Sequence, residues 1–270
     1  MDQIVTDVSP ATMARGIAGN IVTTFRGIAA LGGSVREVDG MTAIVTGLPM
    51  SDFNGVFQTA MPPELEAEAV RGRLAATMAW LVEQGQPFCW VVTPLTTPHD
   101  LPGYLGDLGF HHSESMPGMA LDLAALTDHT ALPGLEISTV RDTDTLRVWF
   151  QTSAAGFGSP ESVVEMMFAH FSRGDLSADR PELELLGRVD GTPVATAVLS
   201  LGAGVAGLYN ISTRPEYRGR GIGAAMTLAA LREARARGYR IGVLEASQMG
   251  FPVYQRLGFR EYLTVSHFTR

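Results

Sequence analysis

Three glycines at alternating positions, Gly219, Gly221 and Gly223, open the run G-R-G-I-G-A-A-M, with Arg218 and Arg220 threaded among them. A strand-like stretch, GVAGLYNIST, precedes the run, and an alanine- and leucine-rich helical pattern follows it. A helix N-terminus exposes unpaired N–H groups and a partial positive charge, so it attracts anions. Glycine lets that backbone approach a phosphate and adopts positive φ without steric cost. Arginine alongside adds bidentate contacts to phosphate oxygens. The plainer reading, a flexible turn that merely starts a helix, leaves three glycines unexplained, since each costs roughly 1 kcal/mol near a helix.

Two kinds of anion loop satisfy the pattern. GRGIGA fits G-x-G-x-x-A, the dinucleotide fingerprint of a nucleotide-dependent oxidoreductase, and Glu245 ends the next strand as a ribose-binding acid would. Against that reading, RPEYR separates the strand from the first glycine, and too little chain follows to build a parallel sheet. A P-loop of the GxxxxGK[ST] kind is excluded, because all 20 basic residues are arginine and lysine is absent. The same absence makes Arg218 and Arg220 less diagnostic, since arginine is the only strong base this chain uses.

Other reactive residue types form no pattern. The single cysteine, Cys89, lies in the apolar run PFCWVV and reads as a buried thiol. His111 and His112 stand together in an expected loop, and neither HxH nor HExxH occurs, so no metal site is expected. GxSxG, the commonest serine-hydrolase signature, is missing.

The elements that must carry the loop come from a chain of 270 residues, 46% apolar, long enough for two domains. A formal charge of −8 argues against nucleic acid or an anionic membrane as partner. The start, MDQIVTD, lacks a signal-peptide pattern and no apolar run approaches a bilayer's thickness, so a cytoplasmic protein is expected. In the first half, hydrophobic periodicity predicts helices over residues 10–31, 63–84 and 100–108 and strands in SVREV, MTAIVTGL, FCWVVTPL and GMALDL, with PMSDFNGVF as a turn-rich piece. In the second half it predicts the strand LEISTV, then two helices with Asp142 and Ser159 as caps. Three strands follow, with Asp190-Gly191 as a hairpin turn, and then the glycine loop and its helix. The strand RIGVLEA, a short helix and the strand REYLTVSHFT close the chain.

Both halves end in the same order: a long helix, an apolar strand, a short helix finishing in Leu-Gly-Phe, and a closing strand. Two copies of one α/β fold are therefore expected, over residues 1–126 and 135–270, joined by a polar linker at 127–134. The first copy has FQTAMPPE ahead of its long helix; proline offers no N–H to an anion, so this copy has lost the loop's ability.

The loop with its flanks resembles the acyl-coenzyme A loop of the GCN5-related N-acetyltransferase (GNAT) family, [QR]-x-x-G-x-[GA], matched by Arg218, Gly221 and Gly223. The family's late helix, ending Tyr-x-x-x-Gly-Phe, is matched by Tyr254, Gly258 and Phe259. The resemblance covers about residues 134–270, while the first half is similar only in element order, as in tandem members that keep one active copy. It implies two tandem domains, each a mixed, mostly antiparallel sheet flanked by helices. It implies an N-acetyltransferase taking acetyl-CoA as donor, without metal, and a small-molecule amine or protein N-terminus as acceptor, working as a monomeric pseudo-dimer or a homodimer. The coenzyme A pyrophosphate would lie on the amides of Arg218, Gly219, Arg220, Gly221, Ile222, Gly223 and Ala224, and the pantetheine arm would pair like an added strand with Ile211, Ser212 and Thr213. Tyr254 would protonate the departing thiolate, and Glu245 is a possible general base that could equally pair with an arginine for structure. Tyr209 and Asn210 are weaker candidates at the cleft. Many members carry Asn where Ser247 stands, a departure that weakens any contact from Ser247 to pantetheine. A non-catalytic acyl-CoA-binding module is the alternative from another class.

Overall fold

The computed structural model describes residues 3–127 and 132–270. Residues 128–131 of the expected linker lie outside the described residues. In chain order the elements are helix α1 (Pro10–Ala29) and strands β1 (Ser34–Val38), β2 (Met41–Val45) and β3 (Asn54–Thr59). There follow α2 (Ala67–Glu83), β4 (Cys89–Val92), α3 (Leu101–Asp107) and β5 (His111–Asp122). Beyond residue 132 come β6 (Leu135–Thr139), α4 (Thr143–Phe157), α5 (Glu161–Phe171), β7 (Glu182–Val189), β8 (Thr192–Gly202) and β9 (Val205–Thr213). The last elements are α6 (Ile222–Ala236), β10 (Ile241–Glu245), α7 (Phe251–Arg256) and β11 (Arg260–Thr269).

Turn chemistry sets the hairpins. Asp39-Gly40, Asp190-Gly191 and Ala203-Gly204 each place two successive residues at positive φ, the arrangement that two-residue hairpin loops demand. Asp142 caps α4 as expected, its carboxylate accepting the Thr145 N–H at 2.7 Å. Ser159 does not cap α5; the residue ahead of that helix is Pro160, which contributes no side-chain bond. Helix α2 starts at Ala67 rather than 63, because Pro62 and Pro63 hold the chain in a turn closed from Leu65 N–H to the Pro62 carbonyl.

Two further segments differ from the sequence expectation. The piece read as turn-rich holds β3, whose first residue, the buried Asn54, uses its amide to bind the Leu48, Met50 and Pro87 carbonyls. A buried carboxamide satisfied by three carbonyls serves as a structural strut rather than a turn former. His111 and His112 begin β5 rather than sitting in a loop.

The described chain forms two compact units, each drawing on both ends of the sequence. One comprises Met1–Asn20 and Met119–Tyr262, the other Ile21–Gly118 and Leu263–Arg270. In the first unit, β6, β7, β8 and β9 pair antiparallel in succession, β10 joins β9 in parallel, and the last residues of β5 lie beside β10. Its core packs Leu183, Leu185, Ala197 and Leu208 of the sheet with Met226 and Leu231 of α6. In the second unit β1, β2 and β3 form an antiparallel run, β4 pairs with β3 in parallel, and Ser266–Thr269 of β11 pair antiparallel with β4. Val56 and Trp90 pack there with Val70 and Leu74 of α2. Each unit is thus a mixed, mostly antiparallel sheet, and in each a long helix makes the crossover between parallel neighbours.

The closing strands are exchanged. The tail of the second sequence half pairs with β4, and the end of the first half lies beside β10. No helix among the described residues is long and apolar enough to cross a membrane.

Candidate active site

The site begins with a break in pairing. Parallel pairing of β9 with β10 runs from Gly242↔Ala206 to Leu244↔Leu208 and stops, while β9 continues for five residues to Thr213. Across β9 the register to β8 shifts, with Val198 opposite Tyr209 and Thr196 opposite Ser212, so three steps of β9 span two of β8. Asn210 takes up the extra length at φ 51°, the left-handed region that asparagine tolerates better than most residues. The bulge bends β9 and increases its local twist. Two bonds hold it: Ser153 of α4 donates to the Asn210 side chain (2.8 Å), and Thr196 donates to the Asn210 carbonyl (3.0 Å). The result is a wedge whose apex lies between Tyr209 and Glu245, the first residues past the last pair on their strands.

The predicted donor residues Ile211, Ser212 and Thr213 form one wall of this wedge. Ser212 is buried against α4, where its hydroxyl lies 2.8 Å from that of Thr196 and a Cβ at Gly156 would fall 2.6 Å from it. Gly156 is what lets the helix approach so closely. The side chain of Ile211 packs on the core instead. The role expected of these positions uses backbone alone, whatever the side chains contact.

The glycine loop follows at once. Gly219 and Gly221 have φ of 74° and 80°, and a Cβ at either would meet nothing within 4 Å, so an open face adjoins the loop. Gly221 stands at the start of α6, where no side chain caps the helix, and the first helical bond runs from Ala225 N–H to the Gly221 carbonyl. The N–H groups of Ile222, Gly223 and Ala224 therefore have no carbonyl of the helix as partner.

The two arginines bond to the protein's own backbone. Arg218 spends its guanidinium on backbone: Nη2 donates to the Gly156 carbonyl at 2.6 Å and Nε to the Thr213 carbonyl at 3.1 Å. It ties the end of α4 to the end of β9. Arg220 donates to the Glu216 carbonyl (3.0 Å) and lies over the Tyr217 ring, 5.1 Å from its centroid. Both guanidinium groups thus hold backbone carbonyls beside the loop.

Tyr254 lies in α7, 9% exposed, edge-on to Phe259. Burial pushes its phenol up to about 12, so it keeps its proton throughout the physiological range. Ser247 turns the chain into α7, accepting the Gly250 N–H at 3.1 Å. Glu245, half-buried, ends β10 at the wedge.

One residue of this region was missed altogether. Asn20, fully buried in α1, donates its amide hydrogens to the Ser200 and Gly202 carbonyls (3.2 and 3.0 Å) and accepts the Tyr209 hydroxyl at 2.8 Å. The available signal was Gly207, since a lone glycine inside a strand marks a close approach by something else.

These features, a splayed parallel pair beside a bulge with an uncapped glycine-led helix directly after it, can be set against known proteins. Residues 145–259 match the acetyltransferase (GNAT) family. That stretch lies wholly in the second half of the chain and takes in both the glycine loop and Tyr254. Structures alike over most of the chain include a GCN5-related N-acetyltransferase from Kribbella flavida, 18% identical over 95% of this chain and 96% of that one, with a TM-score of 0.73. A tandem GNAT protein from the clavulanic acid biosynthesis pathway is 16% identical over 85% of this chain and 78% of its own, at 0.62. A GCN5-related N-acetyltransferase from Sphaerobacter thermophilus is 17% identical over 77% and 70%, also at 0.62. No curated protein matches the sequence. The dinucleotide reading falls, because β9 has an antiparallel neighbour in β8 and the loop strand of that fold requires a parallel sheet.

Proposed function

We propose that this protein acts as a GNAT acyltransferase, moving an acyl group, acetyl first among them, from its coenzyme A thioester to an amine, at the wedge between β9 and β10. One observation carries the reading: a strand edge that runs on past its last parallel partner leads straight into an uncapped, glycine-led helix. The residues fit the donor in both its parts. The amides of residues 218 to 224 suit a pyrophosphate, and the backbone of Ile211, Ser212 and Thr213 suits an extended arm bearing amides of its own.

The bound thioester supplies an electrophilic carbonyl carbon and a thiolate leaving group. An N–H of β9 at the bulge polarises that carbonyl and stabilises the negative charge its oxygen gains. Glu245, at the apex, takes a proton from the acceptor ammonium, directly or through water, so that the nitrogen attacks as a neutral amine. The C–N bond forms, the C–S bond breaks, and the sulfur collects a proton. Tyr254 serves there as donor. With its pKa raised to about 12 it stabilises the thiolate through its hydrogen bond and passes the proton on as solvent replenishes it.

The acceptor is a small amine or a protein N-terminus. We also propose that residues 1–126 and 135–270 arose as two copies of one fold, the first having lost its donor site. The same burial of Tyr254 favours one other reading, a module that binds acyl-CoA without transferring it, since a phenol near 12 is a reluctant acid. Thiol release from acetyl-CoA, followed across amines, amino acids and short peptides with Tyr254→Phe as control, separates the two. Release with at least one amine supports the transferase, and tight coenzyme A binding with no release on any of them supports the module.

A further inference from the structure

Asn20 lies outside the stretch that matches the GNAT family, yet it is built into the apex of the wedge. The strand is shaped to admit it. A Cβ on Gly207 would fall 1.8 Å from the Asn20 Oδ1 and 2.7 Å from the Tyr209 ring, so any side chain at 207 would evict both. Gly16 and Gly19, on the same helix, bring α1 down to the β8–β9 hairpin, where their own Cβ atoms would lie 3.0 Å from Val205 and 3.1 Å from Ala203. Three glycines thus make room for one carboxamide.

Its orientation is fixed by chemistry. The amide nitrogen faces two carbonyls, Ser200 and Gly202, and only an N–H₂ group can satisfy both. The oxygen must then face Tyr209, and as an acceptor it obliges that phenol to donate. A phenol has one proton. With it directed to Asn20, the Tyr209 oxygen presents only acceptor character to anything else that meets it. Tyr209 is the first residue of β9 beyond the last parallel pair and stands directly before the bulge at Asn210.

We propose that Asn20 is a positioning residue for acyl transfer: by holding the Tyr209 proton it turns the phenol oxygen into an obligate acceptor for an N–H of the incoming amine. This rests on the transferase reading above. Acting wholly through Tyr209, it steers the acceptor and leaves the donor's binding alone.

A double-mutant cycle tests this with acetyl-CoA and whichever panel amine gives the fastest thiol release. Asn20→Ala and Tyr209→Phe are each expected to lower kcat/KM for that amine about 10- to 100-fold while the Kd of coenzyme A stays unchanged. The double variant is expected to fall no further than Tyr209→Phe, because the two residues act as one device. Asn20→Ser, smaller but still polar, gives an independent second variant, whose melting transition shows whether it folds. Multiplicative losses in the double variant, or a Tyr209→Phe enzyme with full kcat/KM, overturn the proposal. Loss of coenzyme A binding and of the melting transition in both Asn20 variants also overturns it, since Asn20 would then serve the fold alone. A wild-type protein that binds coenzyme A and acylates no amine removes the transferase reading and this proposal with it. An active wild type with unaffected variants removes this proposal only.

Discussion

The strand β3 with its following helix α2, and the strand β9 with its following helix α6, occupy the same place in two similar units, and they end differently. Past its parallel pairs with β4, β3 is met again by its own chain. Thr97 donates its N–H to the Thr59 carbonyl, and its carbonyl accepts the Met61 N–H, both at 3.1 Å. The Thr97 hydroxyl adds a bond to the Met61 carbonyl at 2.8 Å. Beside β3, Thr97 occupies the place that the proposed extended ligand would take beside β9. The helix entries differ as well. Glu64, Glu66 and Glu68 surround the start of α2, where two prolines stand in place of glycines, so the one entry repels the anion that the other attracts. The comparison teaches that the two features on which the proposed donor site rests, an open strand edge and a bare helix start, occur together in the first unit, while the second unit has closed the one and charged the other.

The sharpest way to break the contrast is to give α6 the character of α2. Gly221→Glu puts a side chain at φ 80° and a negative charge at the helix start. Coenzyme A affinity should fall about 100-fold or more by titration calorimetry, since strain and repulsion add to the lost amide contacts. Next in size, Tyr254→Phe should lower kcat about 10- to 100-fold with coenzyme A binding intact, in steady-state kinetics. Because the wild-type phenol keeps its proton to about 12, kcat should show no alkaline fall from this group below about pH 10. Gly207→Ala, which must displace Asn20, should lower acceptor kcat/KM about as much as Asn20→Ala does.

A smaller effect concerns stability in the same unit. Glu182 of β7 is pushed up to about 7 by burial first and by the neighbouring Glu184 second. The folded state therefore holds a proton that the unfolded chain has released, and the wild type loses stability as pH rises from about 4.5 to 7. Glu182→Gln escapes that loss, so its Tm should exceed the wild type's by a few degrees at pH 8 and match it near pH 4.5, by calorimetry. The smallest effect is expected in the second unit. Replacing Pro62 and Pro63 by glycine should leave coenzyme A stoichiometry at one per chain, because Thr97 still fills the edge of β3.

Much of this was legible in the sequence where chemistry is local. Alternating glycines, paired turn residues such as Asp190-Gly191 and the Asp142 cap each act through their own backbone, so residue type and position suffice to find them. The exchange of closing strands was not legible. Leu-Gly-Phe and an alternating strand end both halves, and a period-2 pattern says which face is buried without saying which strand lies alongside. Strand β3 was hidden because Asn54, ordinarily a turn former, is a buried strut whose partners lie on three separate segments. The bond from Arg218 to Gly156 was hidden because nothing in the sequence shows that this α4 carbonyl comes within its reach. Asn20 was missed for the same reason: 189 positions separate it from Tyr209.

The central claim is one open donor edge, on β9, and a closed one on β3. Hydrogen exchange with and without coenzyme A tests it most directly. The account predicts slowed exchange across residues 209–224 and no change across 54–68. Protection of the second segment, or of neither, would contradict it.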